Sequence, residues 1–329
     1  MAQSKYRVLV TDYIFPNLEP ERTVLEAIGA EVIAAQCRSA EEVMTLGAEV
    51  DGILNQAVRL DSRVMPALKR CKVIVRYGVG VDNVDVEAAT RHGIYVCNVP
   101  FYATREVADH TLALLLSLVR KVSLMDRAVR SGRWDYKLSQ PIRRLEGSVL
   151  GIVGLGNIGR AVARRAQGFG LRVIAYDPYL DDAVFQHLGV ERVDFPTLLQ
   201  QSDYVSLHTP LTPETHHLFN RAVFQQMKRG AILVNAARGP VVNETDLYEA
   251  LQQGWLAGAA LDVMEKEPPG KESPLFTLDN VLITPHMAWY SEEAGADLQR
   301  LAAEEVARVL QGNPPLSPVN PQVKLRGEG

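Results

Sequence analysis

Long apolar runs are missing from this chain. Of its 329 residues 47% are hydrophobic, yet no stretch approaches the ~20 consecutive apolar residues that cross a bilayer, so no membrane span is expected. Cysteine is scarce as well. Cys37, Cys71 and Cys97 sit in or beside apolar strand-like runs without metal-ligand spacing; they read as packed, reduced thiols, and no metal is expected. Neither sign of charge dominates: 35 Lys and Arg against 39 Asp and Glu leave a net charge of −4, and the longest basic run, Arg143-Arg144, is too short to make a face for nucleic acid. There is no repeat and no low-complexity tract. The start, Met1-Ala2-Gln3-Ser4-Lys5, runs directly into the strand-like Arg7–Val10 and leaves no room for a signal peptide, so a cytoplasmic location is expected. No appended regulatory domain is expected after about Gly312. What these absences leave is a chain long enough for two buried cores and best suited to a small-molecule site.

What is present is an alternation. Apolar runs at Arg7–Val10, Val32–Ala35, Gly52–Leu54, Val73–Val75 and Ile94–Val96 are separated by helix-like segments such as Glu21–Ile28 and Ala40–Leu46. A second series begins at Val149 and continues through Arg172–Ala175, Tyr204–Leu207, Ile232–Val234, Gly258–Leu261 and Val281–Ile283. Right-handed crossovers place such helices on both faces of a parallel sheet, so the expectation is an α/β fold with two doubly wound parallel-sheet domains. Thr104 to about Arg130, with Val107, Leu112, Leu115, Leu116 and Val119 near helical spacing, suits a helix passing from the first domain to the second. Residues 131–146, with Trp134 and Tyr136, lack periodicity and read as a projecting arm. Ser291–Gln311 is amphipathic and is followed by Gly312, Asn313 and two prolines; it is expected to return to the first domain. The expected division is a discontinuous substrate-binding domain, 1–100 with 290–329, flavodoxin-like, and a Rossmann-type dinucleotide domain, 101–289, with the cleft where both sheets point their carboxyl ends.

Between the strand-like Val149–Val153 and the helix-like Arg160–Gln167 lies Gly154-Leu155-Gly156-Asn157-Ile158-Gly159. Each glycine has a reason to be there: Gly154 for a sharp turn, Gly156 for close approach of backbone to a pyrophosphate, and Gly159 for tight packing of helix on strand. Phosphates would meet the positive end of the helix. Asp177, 18 residues past Gly159, closes the next strand, where a carboxylate accepts hydrogen bonds from ribose hydroxyls and repels a 2′-phosphate. With Pro178 and Tyr179 following it rather than Arg or Lys, NAD is expected over NADP. The alternative is that Asp177 caps a turn.

Three further residues follow strand ends or tight turns. Arg238, after Val234-Asn235-Ala236-Ala237, presents a planar fork suited to a carboxylate and an adjacent carbonyl oxygen. His286, in Ile283-Thr284-Pro285-His286, has the side chain whose ordinary pKa suits a general acid or base near neutrality. Glu267, held in a turn by Pro268 and Pro269, is placed to hydrogen-bond the other imidazole nitrogen. Taken singly each reads as readily as a surface or packed residue; the series downstream of a dinucleotide turn is what points to catalysis.

Segment by segment, most of the chain resembles the D-isomer-specific 2-hydroxyacid dehydrogenase family: Tyr77-Gly78-Val79-Gly80-Val81-Asp82-Asn83, the glycine turn, Ser206-Leu207-His208-Thr209-Pro210-Leu211-Thr212, the Arg238 segment, Ala260-Leu261-Asp262-Val263 with Glu267-Pro268, and Thr284-Pro285-His286. The resemblance implies an NAD-dependent enzyme interconverting a D-2-hydroxy acid and its 2-oxo acid, a homodimer, and Arg238, Glu267 and His286 as the catalytic set. It also implies a cofactor set of Gly154, Gly156, Asn157, Ile158, Gly159, Asp177, His208, Thr209, Pro210, Thr215, Ala236, Arg238, Thr104 and His286, with Asp262 near the nicotinamide carboxamide. The substrate set it implies is Tyr77, Val79, Gly80, Asn98, Arg238, His286 and Trp289, with Val79 and Gly80 acting through backbone amides and Pro100 and Val107 beside Asn98 and Thr104. The chain departs from the family after His286, where Met287-Ala288-Trp289-Tyr290-Ser291-Glu292 is similar to the C-terminal-binding protein branch; Trp289 would add an apolar wall, or only pack at a helix start. That branch brings a second reading, an NAD(H)-sensing scaffold that binds partners with little turnover. A third is a relative acting on a phosphorylated or phosphonate hydroxy acid. It is disfavoured because Arg76 and Arg105 are the cations near the loop, and Tyr77, Val79, Val81 and Phe101 are equally near.

Overall fold

The structure, a computed structural model, describes residues 4–325; the expectations about Met1–Gln3 and about the domain's extent to 329 lie outside the described residues. The chain divides into two compact units, one made of Met1–Ala103 with Ser291–Gly329 and the other of Thr104–Tyr290.

In the first unit β1 (Tyr6–Val10), β2 (Ala30–Ala34), β3 (Gly52–Asn55), β4 (Val73–Arg76) and β5 (Tyr95–Cys97) form a parallel sheet in the order β2-β1-β3-β4-β5. Strands buried on both faces read as continuous apolar runs, which is why Val8–Val10 and Val73–Val75 are fully enclosed. Helix starts are set by side chains that satisfy otherwise orphaned amides: Ser39 accepts from Glu42 N, Asp85 from Ala88 N and Ser291 from Ala294 N. The last helix, Glu292–Leu310, packs on Glu19–Glu26 and on β4. Cys37, Cys71 and Cys97 are buried free thiols, and burial raises the pKa of Cys37 and of Cys97.

In the second unit β6 (Val149–Val153), β7 (Arg172–Tyr176), β8 (Glu191–Arg192), β9 (Tyr204–Leu207), β10 (Ala231–Asn235), β11 (Leu256–Leu261) and β12 (Val281–Ile283) are parallel, in the order β12-β11-β10-β9-β6-β7-β8. The chain winds outward from β6 through β7 to β8, then crosses back to β9 on the other side of β6. The carboxyl end of β6 is therefore the switch point where doubly wound sheets take ligands, and the glycine turn lies there. Strand β8 has no apolar signal because both its residues are exposed and charged. The segment expected as one helix is two, Thr104–Val119 and Val122–Arg130, broken where Lys121 takes a left-handed φ of 55°. Residues 131–146 are mostly exposed around one short turn, Tyr136–Ser139. Among the described residues no helix is long and apolar enough to cross a membrane.

Candidate active site

The glycines do what their positions require. Gly154 has φ +90°, and a Cβ there would stand 2.7 Å from the His208 carbonyl oxygen; at Gly159 a Cβ would stand 2.2 Å from the Gly154 oxygen. At Gly156, by contrast, a Cβ would meet nothing within 4 Å, so the turn has open space where backbone must approach a ligand. Asn157 and Ile158 begin the helix Asn157–Gly168 directly after it. The carboxylate of Asp177 accepts from Leu155 N (2.9 Å) and Tyr179 N (3.0 Å), so it does cap the turn, and each oxygen keeps a lone pair for a further donor.

Other members of the expected cofactor set fall on loops at the same end of the sheet. His208 takes a backbone bond from its N–H to Val153 O, and its Nε2 lies 2.8 Å from Ser206 Oγ. Its Nδ1 is enclosed without a partner, and burial pushes the imidazole down to about 3, so it is neutral at physiological pH. Thr104 Oγ1 is a second buried polar atom without a partner. An open glycine turn, an acid at the next strand end and two orphaned polar atoms are the features a dinucleotide would complete. Thr209 and Thr215 instead direct their hydroxyls to Pro210 O (3.2 and 2.7 Å), which shapes the loop after β9. Ala236 follows β10 and is half-buried.

Three strands deliver the expected catalytic set. Asn235 pairs with Leu261, and Leu261 with Ile283, so the carboxyl ends of β10, β11 and β12 lie side by side; Arg238 leaves the first, Glu267 the second and His286 the third. Two local devices fix the loops. Buried Asn235 donates to Arg238 O (2.9 Å) and accepts from Ala237 N (3.0 Å), and Gly239 sits so close to the next loop that a Cβ would stand 1.9 Å from Met264 O. His286 Nδ1 is 2.6 Å from Glu267 Oε2, while Glu267 Oε1 accepts from Met264 N (3.0 Å). Burial opposes ionisation of Glu267, but the hydrogen bond and charge of His286, the Met264 amide and the Arg238 charge together hold its carboxyl below the ordinary value. With Nδ1 so engaged, Nε2 is the nitrogen left to exchange a proton.

Asp262 is not placed as an open ligand. It is 2% exposed and accepts from Thr284 Oγ1 (2.5 Å), Met287 N (3.0 Å) and Ala288 N (2.9 Å), closing the His286 loop onto β11. His110, on the helix Thr104–Val119, brings its Nε2 to 3.0 Å from Thr284 Oγ1 and 3.6 Å from Asp262. His110 and Thr284 were not singled out from sequence; their link spans 174 residues and leaves no local pattern. In the first unit the Tyr77 side chain corrects its expected place in the substrate set. It is 2% exposed, with its hydroxyl donated to the buried Glu21 (2.7 Å), because the ring fills the core beside Phe15. Val79 is exposed, Gly80 half-buried, and Asn98 donates to Val79 O (2.6 Å), holding that loop open. Pro100 and Val107 supply no polar group, and Val107 is buried.

With this geometry in hand, known proteins give the comparison. Residues 112–288 match the NAD binding domain of the D-isomer specific 2-hydroxyacid dehydrogenases. This chain belongs to that family. It is 42% identical over 315 residues to a D-3-phosphoglycerate dehydrogenase of Archaeoglobus fulgidus, covering 95% of this chain and 59% of that one, so it spans about three fifths of that relative's length. It is 44% identical over 275 residues to a glyoxylate reductase of Korarchaeum cryptofilum, 82% of each chain. Among solved structures, the D-lactate dehydrogenase of Aquifex aeolicus complexed with NAD and lactic acid superposes with a TM-score of 0.85 at 28% identity, covering 93% of this chain and 96% of that one. The family and the turn geometry agree on a dinucleotide cofactor, NAD.

Two outcomes follow from this geometry. Removing the Asp177 carboxylate should relax cofactor choice: in Asp177→Ala the ratio of NADPH to NADH dissociation constants, read by fluorescence titration, falls on the order of 10-fold through loss of a charge-assisted bond. An unchanged ratio removes the role. Glu267→Gln replaces the charged partner of His286 Nδ1 with a neutral one, and NADH-dependent turnover should fall on the order of 10-fold while the NADH dissociation constant stays nearly unchanged. Unchanged turnover contradicts the pairing.

Proposed function

We propose that the protein is an NAD-dependent dehydrogenase that interconverts a D-2-hydroxy acid and its 2-oxo acid. The observation that carries this reading is the short His286–Glu267 contact beside Arg238 on three adjacent strand ends. The nicotinamide, when bound, supplies or accepts the hydride at C2. In reduction, Arg238 binds the substrate carboxylate and polarises the neighbouring carbonyl oxygen, while protonated His286 gives its Nε2 proton to that oxygen as it becomes a hydroxyl. Glu267 stabilises the imidazolium beforehand and keeps Nδ1–H pointed at itself, so the tautomer is fixed. Oxidation reverses each part: His286 begins neutral and takes the hydroxyl proton.

A phosphorylated hydroxy acid is the second reading, favoured by the identity to phosphoglycerate dehydrogenases. A C-terminal-binding protein-like scaffold has the Met287–Glu292 segment behind it and predicts NADH binding with negligible turnover; the relatives named above are dehydrogenases and a reductase. NADH consumption with glyoxylate, hydroxypyruvate, its phosphate ester, pyruvate, a bulky apolar 2-oxo acid and phosphonopyruvate separates the three. Turnover is expected with at least one unphosphorylated acid, and His286→Gln is expected to lower it about 10²–10⁴-fold with NADH binding nearly intact. Absence of turnover with every acid, or full turnover in the variant, overturns the reading.

The same reading includes a homodimer. Val122, Trp134 and Tyr136 are 58%, 88% and 71% exposed, an apolar surface that a monomer rarely leaves to water. Near its base is a cavity of about 580 Å³ lined by Leu118, Leu124, Tyr204, Ile232 and Leu282. Sedimentation equilibrium is expected to give twice the 36.3 kDa of one chain, with Trp134→Glu shifting mass toward the monomer. A wild-type monomer at micromolar concentration contradicts it.

A further inference from the structure

The backbone of His286 is left-handed, with φ 51°, a region that residues bearing a Cβ avoid unless their surroundings hold them there. Its N–H side is held from within the fold: the amide donates to Asp262 O (2.7 Å) and lies 3.1 Å from Thr284 O, while Met287 N and Ala288 N are fixed by the Asp262 carboxylate. Its carbonyl side is held differently. His286 O accepts the indole Nε1–H of Trp289 at 3.1 Å, and Trp289 is itself set edge-on to Tyr290, ring centroids 5.5 Å apart. An indole has one N–H and no acceptor, so this bond uses the polar handle of Trp289 on the backbone of the histidine.

Resting on the proposed reaction, we infer that Trp289 is a positioning residue for His286. Its indole N–H anchors the carbonyl of the left-handed residue and thereby keeps the imidazole turned to Glu267. The peptide planes on either side of His286 set where its Cβ points. With the N–H side tied to Asp262 and the C=O side tied to Trp289, neither plane is able to rotate, and Nδ1 stays at 2.6 Å from Glu267 Oε2. Without the indole donor the 286–287 peptide keeps only the Met287 N–H bond to Asp262, its carbonyl end is released, and the imidazole drifts from the carboxylate. A pocket wall needs only the ring. The clamp needs the N–H.

Trp289→Phe keeps an aromatic face and deletes the donor. The clamp predicts that kcat falls on the order of 10-fold, as small misplacements of a reacting group do, while the substrate KM and the NADH dissociation constant stay within about twofold. In the His286→Gln background the same change is expected to cost nothing further, because a residue acting through His286 has nothing left to position. An unchanged kcat in Trp289→Phe, or an equal further loss in the double variant, overturns the inference. A readout independent of turnover is the ¹⁵N-indole spectrum of the wild-type protein, which has three tryptophans. The signal that Trp289→Phe removes should exchange slowly with solvent and shift in His286→Gln; fast exchange with no such shift overturns the clamp, even where a variant folds poorly. Full turnover in His286→Gln would instead remove the reaction assigned to the site, leaving the indole result to stand or fall by itself.

Discussion

A buried carboxyl group holds together the end of the second unit where Arg238, Glu267 and His286 meet. Asp262 ends no helix and faces no solvent, yet it accepts three hydrogen bonds from the segment that follows β12 and makes a fourth through its own carbonyl to His286 N. A carboxyl so enclosed is tolerable only when its lone pairs are filled, and leaving one such buried group unpaired costs roughly 1–3 kcal/mol. The segment is therefore bound to adopt the shape that fills them. That shape is a tight turn with a left-handed residue at its centre, and the residue there is His286. Thr284 and His110 extend the network to the helix Thr104–Val119, so the position of the imidazole is tied to a helix packed on the glycine-turn helix as well as to the sheet.

The sheet supplies the coarse convergence and side chains supply the fine. Parallel strands in register bring three loops to one edge, but adjacent strand ends are ~4.8 Å apart and the loops could splay in many ways. Gly239 removes one freedom by letting the Arg238 loop touch the Met264 carbonyl, Asn235 removes another by bonding both sides of the same loop, and Asp262 removes a third. The electrostatics then follow from proximity. Glu267 sits between a guanidinium and an imidazole that both favour its charged form, which outweighs partial burial.

Much of this was legible in the chain. The alternation of apolar runs gave eleven of the twelve strands, because a strand buried on both faces has to be apolar; β8 escaped since it is short, charged and exposed. The Gly154–Gly159 turn could be read because each glycine answers a steric demand that acts locally. Arg238, Glu267 and His286 could be picked out by their strand-end settings. The side-chain direction of Tyr77 had no local signal: its ring points into the core to reach Glu21, 56 residues away. His110, likewise, is bound to a partner far along the sequence, and neither Asp262's inward turn nor the break at Lys121 has a signature within one turn of helix. What sequence periodicity reports is which side faces the core; it carries no information on which distant polar groups meet there.

The chemistry of the substrate follows the same logic of charge counting. A 2-oxo acid brings one carboxylate, and a single guanidinium fork answers it. A phosphate ester brings up to two further negative charges, which need cations of their own held toward it. In the first unit Arg76 immediately precedes the loop that carries Val79 and Gly80, and its guanidinium lies so close to Gly78 that a Cβ there would stand 1.8 Å from Nη1. Gly78 also carries φ +133°, a backbone that favours glycine, and the missing side chain leaves the space that the Arg76 guanidinium occupies. On the reading proposed above, one fork for one carboxylate is the charge match that Arg238 supplies; overall identity does not choose, since the phosphoglycerate and glyoxylate relatives match this chain at 42% and 44%.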